Sequence, residues 1–303
     1  MAHWLMPNAS QNRLFTRRAQ AFWNERQKRA GAGGPSGYLL DESPPCIGRH
    51  RFEGEWAELM AVLKRSSVER GSCLDVGCGS GLWLQALAGE FGRAEGWDYA
   101  PAMAKAARAR LKQAGVANAS VHTGSAAARQ GKALFDFIFV GGVLMYAPDR
   151  ELRVLLAALK RLLKPQGLLL LRESVIGGET WLREGLALRP GLLAGAGKRP
   201  ADYVAIYRSP ETLRAGLRAA GLEALRDWPN RHYKLSDLTE DWLRRLDRLS
   251  GGRLGKSPQL AGLAAEGLFR ARHLILYPEY FFRKWKLQNR WFLCAQAPRR
   301  SST

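Results

Sequence analysis

Residues 73 to 81 read Cys-Leu-Asp-Val-Gly-Cys-Gly-Ser-Gly, an apolar strand that reaches Asp75 and then places glycines at 77, 79 and 81, with helical sequence directly behind. Glycine lets the backbone turn sharply and approach a ligand that any side chain would obstruct. The segment therefore reads as a ligand loop over a helix N-terminus. A dinucleotide would require the fingerprint G-x-G-x-x-G, with a small residue at position 82, where Leu82 stands. It would also bring a pyrophosphate, which Asp75 would repel. About twenty positions further on, Ala94-Glu95-Gly96-Trp97-Asp98 ends a second strand in an acid. A carboxylate there accepts both hydroxyl hydrogens of a ribose, so the pair of signals points to a nucleoside held without a pyrophosphate.

The pattern Asp75-x-Gly77-x-Gly79-x-Gly81 resembles the first motif of the class I S-adenosylmethionine (SAM) methyltransferases. The resemblance covers roughly residues 70 to 230. It implies that Asp75, Gly77, Cys78, Gly79 and Gly81 wrap the methionine and ribose part of SAM and that Asp98 holds the ribose. It also implies that Tyr99 and Met103 lay apolar atoms against adenine. Ser125 stands where the family often has an acid for the adenine amino group, and its hydroxyl can still accept a hydrogen bond. Gly141-Gly142-Val143-Leu144-Met145-Tyr146 matches the fourth motif, beside the methyl group.

Methyl transfer is an in-line displacement, so holding the nucleophile in line with sulfur and methyl carbon supplies roughly 7 to 11 kcal/mol. An oxygen acceptor of high pKa also needs a base. His232, directly after the expected sixth strand, is the first candidate, with Glu173 second and Tyr146 as an orienting group. Many members of the family use no base.

These residues need a frame, and the elements supply one. A first strand from residue 72 and strands at 94–98, 120–123, 135–140 and 168–171 alternate with helices, among them one with Leu152, Leu155, Leu156, Leu159, Leu162 and Leu163 at helical spacing. The expected fold is α/β, a doubly wound, mostly parallel seven-stranded sheet with an antiparallel last strand, an N-terminal helical arm, and a helical insertion before the last strand. All the marked residues fall at the strands' carboxyl ends, where such sheets bind ligands. The domain reading is 1–60 an aromatic-rich arm or lid, hinged at Gly31 to Gly37; 61–230 the SAM-binding core; 231–288 a helical substrate cap; and 289–303 the last strand with a basic tail. Within the cap, Ser236 to Leu249 reads as a helix capped by Ser236. Tyr203 to Pro210 reads as the approach to a helix, with Tyr207 and Arg208 as alternative contacts for an anionic acceptor.

Composition is consistent with this fold, since 46% hydrophobic residues are enough for a core. No basic-then-apolar leader and no apolar run of roughly 18 residues stands in the sequence, so the expected location is cytoplasmic. Cys46, Cys73, Cys78 and Cys294 lack metal-type pairing, and no metal is expected. The net charge of +20 is spread along the chain and densest in the final quarter. From Phe269 to Lys286 aromatics interleave with Arg and Lys, a mixture suited to stacked bases, sugars, a membrane interface, or simply a small helical core. The expected acceptor is a small molecule or an anionic sugar or lipid-linked group, methylated on oxygen ahead of nitrogen. RNA or another polyanion is the alternative acceptor, made weaker by the lack of Pro-Pro-Tyr or Pro-Cys motifs. A non-catalytic SAM-binding regulator is the other alternative. The sequence leaves the oligomeric state open.

Overall fold

The computed structural model describes residues 9–30, 43–187, 192–194, 202–284 and 286–298. The hinge at 31–37, Trp4, Tyr38, Trp285 and most of the glycine run 191–197 lie outside the described residues.

Seven strands form the main sheet in the order β3-β2-β1-β4-β5-β9-β8. They are β1 (Ser72–Val76), β2 (Arg93–Asp98), β3 (Ala119–Thr123), β4 (Phe135–Gly141), β5 (Leu163–Ile176), β8 (Leu222–Pro229) and β9 (Leu287–Gln296). β1 pairs in parallel with β2 and β4, β4 in parallel with β5, and β9 runs antiparallel to both β5 and β8. The predicted doubly wound sheet with an antiparallel last strand is the observed one. β1 is buried at every position and β4 up to Val140, which requires helices on both faces.

One face is covered by α5 (Asp149–Leu162) and α6 (Pro210–Ala219), whose Leu155, Leu156, Leu159, Leu213 and Leu217 join Ile138, Val140 and Leu171 in one core. The other is covered by α2 (Pro45–Arg65), α3 (Leu82–Ala88) and α4 (Pro101–Gln113), with Leu59, Leu84, Leu87 and Ala107 packed on Phe137 and Leu170. The strand order reverses between β1 and β4, so the carboxyl ends of these two strands open the crevice in which ligands of such sheets lie.

Several boundaries differ from the sequence expectation. The arm is two helices, α1 (Ala9–Ala30) and α2, and α2 runs unbroken through the expected boundary at residue 60. β5 begins at Leu163 rather than Leu168, because Phe135 pairs with Leu163 across an irregularity and draws the Lys164 to Gly167 segment into the strand. Segments expected to be loop and helix approach form a separate hairpin, β6 (Trp181–Ala187) with β7 (Asp202–Tyr207). The insertion comprises α7 (Arg231–Leu249), α8 (Arg253–Lys256), α9 (Pro258–Arg270) and α10 (Leu276–Phe282). α7 starts five residues before Ser236, because Asn230 caps it by accepting from Tyr233 N at 3.2 Å. Aromatics of the basic segment divide: Phe269 is buried within the insertion with Tyr277 and Tyr280 packed against its core, while Phe281 and Phe282 stay exposed. Among the described residues no helix is long and apolar enough to cross a membrane.

Candidate active site

A cavity of about 560 Å³ opens at the carboxyl ends of β1 and β4, within the usual range of roughly 300 to 1,000 Å³ for small-ligand sites. At one end lies the glycine loop. Gly77, Gly79 and Gly81 all have positive φ, but each is glycine for a different reason. A Cβ on Gly77 would collide with Val143 Cγ2, so its absence lets the turn after β4 close onto the loop. One on Gly79 would meet nothing within 4 Å, leaving a backbone face that a ligand can approach. One on Gly81 would press on the Ala107 backbone at 3.0 Å, so this glycine serves the packing of α4. Gly77, Cys78 and Gly79 line the cavity, and Gly81 does not.

Asp98 lies on the cavity wall with its carboxylate already oriented: Oδ2 accepts from Gly79 N and Oδ1 from Ala100 N, both at 2.8 Å. Burial pushes its carboxyl up to about 6, against the lowering effect of those two N–H groups. Each carboxylate oxygen retains lone pairs for a further donor. Tyr99 and Met103 line the same end, and the Tyr99 hydroxyl is buried without a hydrogen-bond partner among the described residues. The arm folds over this end, since Phe22 and Trp23 of α1 line the cavity while Gln20 donates to Tyr99 O and Asn24 accepts from Ala102 N.

Besides Gly81, two further residues of the expected cofactor set sit off the cavity. Asp75 is buried behind the loop and accepts from Leu84 N at the start of α3; burial and the nearby Asp98 push it up to about 8. It therefore shapes the loop without touching the cavity. Ser125 is exposed and spends its hydroxyl on capping the short turn after β3, accepting from Ala127 N at 3.2 Å.

The expected catalytic set is also divided. Tyr146 lines the cavity and donates to Tyr203 Oη at 3.3 Å, and Tyr203 lies 2.9 Å from Tyr207 Oη. His232 is not brought to the site. It packs across Gly54 of α2, with Nε2 3.5 Å from Glu58 Oε1, because the early start of α7 turns it toward the arm. Glu173 lies under the wall rather than on it, with Oε1 accepting from Val143 N at 2.8 Å and Leu144 N at 3.0 Å. Among the described residues no histidine lines the cavity.

The far end is built from residues with no local signature. Arg51 from α2 and Arg172 from β5 are buried side by side, both bonded to the fully buried Glu55 carboxylate, Arg51 Nε at 3.0 Å. Asn230 donates to the same carboxylate at 2.7 Å. Burial and then repulsion from Arg172 lower the Arg51 guanidinium to about 9. Tyr233 lies under Arg51, 4.1 Å from guanidinium carbon to ring centroid. Asp237, Glu240, Asp241 and Arg244 complete this wall from one stripe of α7. Their spacing of three, one and three residues, opposite buried Leu235, Leu238 and Leu243, is a polar stripe that the sequence does contain. Arg208, expected as an acceptor contact, is 2% exposed and turned inward.

A cleft of this size at the switch point of a doubly wound sheet, lined by glycines and a preoriented carboxylate, has the form in which such sheets bind nucleoside ligands. Residues 73–167 match the family model described as a methyltransferase domain. Residues 73–167 thus form a methyltransferase domain, consistent with a class I SAM-dependent enzyme whose cofactor is SAM. No curated protein sequence matches it significantly.

Many solved structures share the fold, and three of them illustrate the likeness. Phosphoethanolamine N-methyltransferase 1 of Haemonchus contortus, in complex with phosphoethanolamine and S-adenosylhomocysteine, aligns with a TM-score of 0.59 and 15% identity, over 96% of this chain and 51% of its own. The [4+2]-cyclase SpnF aligns with a TM-score of 0.56 and 18% identity, over 93% and 96%. The O-methyltransferase from a trans-AT PKS multienzyme of Brevibacillus brevis, in complex with S-adenosyl-L-homocysteine, aligns with a TM-score of 0.52 and 14% identity, over 83% and 76%. At these identities the likeness is one of fold.

Proposed function

We propose that the enzyme methylates an oxygen, or a nitrogen, of a small acceptor that carries an acidic group and is enclosed beside the cofactor. The observation that carries this reading is the Arg51 and Arg172 pair, two buried guanidiniums at the far end of the cavity that share Glu55 and repel each other. A carboxylate or phosphate set against them would relieve that repulsion and form charge-assisted, two-pronged hydrogen bonds. The phosphoethanolamine bound by the Haemonchus contortus enzyme is an acceptor of this chemistry, and supports the reading by analogy of fold alone.

In this reading Gly77, Cys78 and Gly79 cradle the methionine and ribose part of the cofactor, Asp98 accepts the ribose hydroxyls, Tyr99 and Met103 face adenine, and Gly141 borders the methyl group. When bound, SAM supplies an electrophilic methyl carbon on a sulfonium. Phe22 and Trp23 exclude water above it. Tyr146 orients the acceptor, and Asp237, Glu240 and Asp241 are the acidic groups at the acceptor end that can receive its proton. Positioning carries most of the rate, with roughly 7 to 11 kcal/mol available from alignment alone. α1 acts as the lid, the main sheet with α2 to α6 as the cofactor core, and the insertion from α7 to α10 as the acceptor cap.

Thermal unfolding with SAM, S-adenosylhomocysteine and NADH in turn tests the cofactor side, since a ligand at 100 times its Kd adds roughly 2.7 kcal/mol. A screen of small hydroxy and amino compounds, with and without a carboxylate or phosphate, tests the acceptor. Turnover confined to the acidic compounds, with KM raised in Arg51→Lys, is the expected result. Equal turnover of the neutral analogues refutes the acidic-group reading. Activity on RNA that falls steeply with salt would replace it with the polyanion alternative.

A further inference from the structure

The turn joining β4 to α5 stands between the two ends of the cavity. Its Val143 side chain occupies the space left by the missing Cβ of Gly77, and its Met145 and Tyr146 line the cavity. Two buried charged side chains grip this turn from behind, neither of them lining the cavity. Glu173, 1% exposed, takes the N–H groups of Val143 and Leu144 on one oxygen. Arg208 donates from Nη1 to Leu144 O at 3.0 Å, and from Nη2 to Ala147 O and Asp149 Oδ1, each at 2.7 Å. One grips the donors of the turn and the other its acceptors. Their strands adjoin, because Val175 bridges Arg208 and Ile176 N donates to Arg208 O at 3.1 Å.

Burying two charges is costly compared with an apolar filling of the same volume. Satisfying the backbone of the turn would account for the contacts alone, but not for the state of Glu173. Its other oxygen, Oε2, is buried with no hydrogen-bond partner among the described residues. Burial pushes its carboxyl up to about 7 against the lowering by the two N–H groups and by Arg172 and Arg208, the charged groups that act on it from β5 and from the end of β7.

We propose that the ionised Glu173 carboxylate and Arg208 are positioning residues that set the turn at 143–147, and through Val143 and Tyr146 the spacing between the cofactor loop and the acceptor wall. The inference rests on the cofactor reading given above. A protonated carboxyl still accepts, but without the charge assistance that makes such bonds about twice as strong. When the turn alone opens, Glu173 stays buried and loses the two N–H groups that favour its ionised form, so the turn tightens as pH rises through neutrality even though ionising this buried carboxyl lowers the stability of the whole fold.

Two measurements test this. Amide hydrogen exchange at Val143 and Leu144, corrected for intrinsic rate, is compared at pH 6 and pH 8.5 in the unaltered protein, and S-adenosylhomocysteine affinity is measured by calorimetry over the same range. Protection and affinity both rise with pH, while Glu173→Gln remains folded, exchanges faster at these two amides, binds about tenfold more weakly at pH 8.5 and loses the pH dependence. Equal protection of the two amides at both pH values overturns the proposal, and so does Glu173→Gln that matches the unaltered protein in exchange and affinity. Should the unaltered protein bind no S-adenosylhomocysteine, the cofactor reading fails, while the exchange comparison, which needs no ligand, still decides the clamp.

Discussion

The glycine loop permits a paired test, because Gly77 and Gly79 share a backbone conformation and differ only in what surrounds them. Their φ values are +67° and +55°. An alanine at either site pays for the left-handed conformation, about 1–2 kcal/mol. At Gly77 the new methyl also strikes Val143 Cγ2, and forcing a methyl into packed surroundings adds about 1–3 kcal/mol. Gly77→Ala should therefore lose about 2–5 kcal/mol of stability and Gly79→Ala about 1–2 kcal/mol. For a chain of this size those losses correspond to Tm falls of roughly 3–8 °C and 1.5–3 °C. Ligand affinity should not follow the same order. The Gly79 methyl projects into space that the bound cofactor approaches, so it should weaken S-adenosylhomocysteine binding roughly 5- to 150-fold, the equivalent of about 1–3 kcal/mol. Differential scanning fluorimetry and calorimetry on both variants give the two numbers. If Gly79→Ala binds as tightly as the unaltered protein, Gly79 does not form the cradle. If the two variants lose equal stability, the contact between Val143 and Gly77 is not what makes glycine necessary there.

The pH dependence of stability in the ligand-free protein has a defined sign between about pH 5 and 8. Asp98, Glu173 and Asp75 are held up to about 6, about 7 and about 8, and Glu55 is also raised, in each case chiefly by burial. A carboxyl raised in the fold contributes stability that is fully present below its ordinary pKa and is lost as pH rises through its folded value. Tm should fall as pH rises across this window; a flat or rising profile would show these groups to be solvated. The lowered carboxyls Glu95, Asp136 and Asp227 act only as pH drops below their ordinary range. Ligand stabilisation should run the other way, because an ionised Asp98 is the better acceptor for ribose hydroxyls. The Tm gain from S-adenosylhomocysteine should grow from pH 5 to 7, and an Asp98→Asn protein with the same gain at both pH values and full affinity would remove Asp98 from the site. Asp98→Ala frees the N–H groups of Gly79 and Ala100 as well, so it should cost stability in addition to affinity, by about 1–3 kcal/mol for each orphaned donor. His232→Ala should lower Tm by the equivalent of about 1 kcal/mol and leave S-adenosylhomocysteine affinity unchanged, and a loss of affinity would return His232 to the site.

What could be read from the sequence was what is local in it. The glycine loop, Asp98 and the motif at Gly141 each lie within a few residues of a strand end, so type and spacing were sufficient. Asp75 and Gly81 were legible as parts of the loop, but whether a loop residue faces the ligand or the helix behind it depends on α3 and α4, which no spacing reveals. Arg208 shows the limit most clearly. Read locally, Tyr-Arg-Ser-Pro is a helix approach with a free cation. In the fold its guanidinium reaches carbonyls 64 and 61 residues earlier in the chain. The acceptor end is assembled in the same long-range way, since Glu55 joins Arg172 across 117 residues and Asn230 across 175. The end of the cavity at the glycine loop thus depends on short-range geometry that any chain with this motif can form. The far end depends on the arm and the insertion being docked together, so, on the proposed reading of that end, substitutions that loosen α2 against α7, such as a bulky residue at Gly54, should disturb acceptor recognition before they disturb cofactor binding.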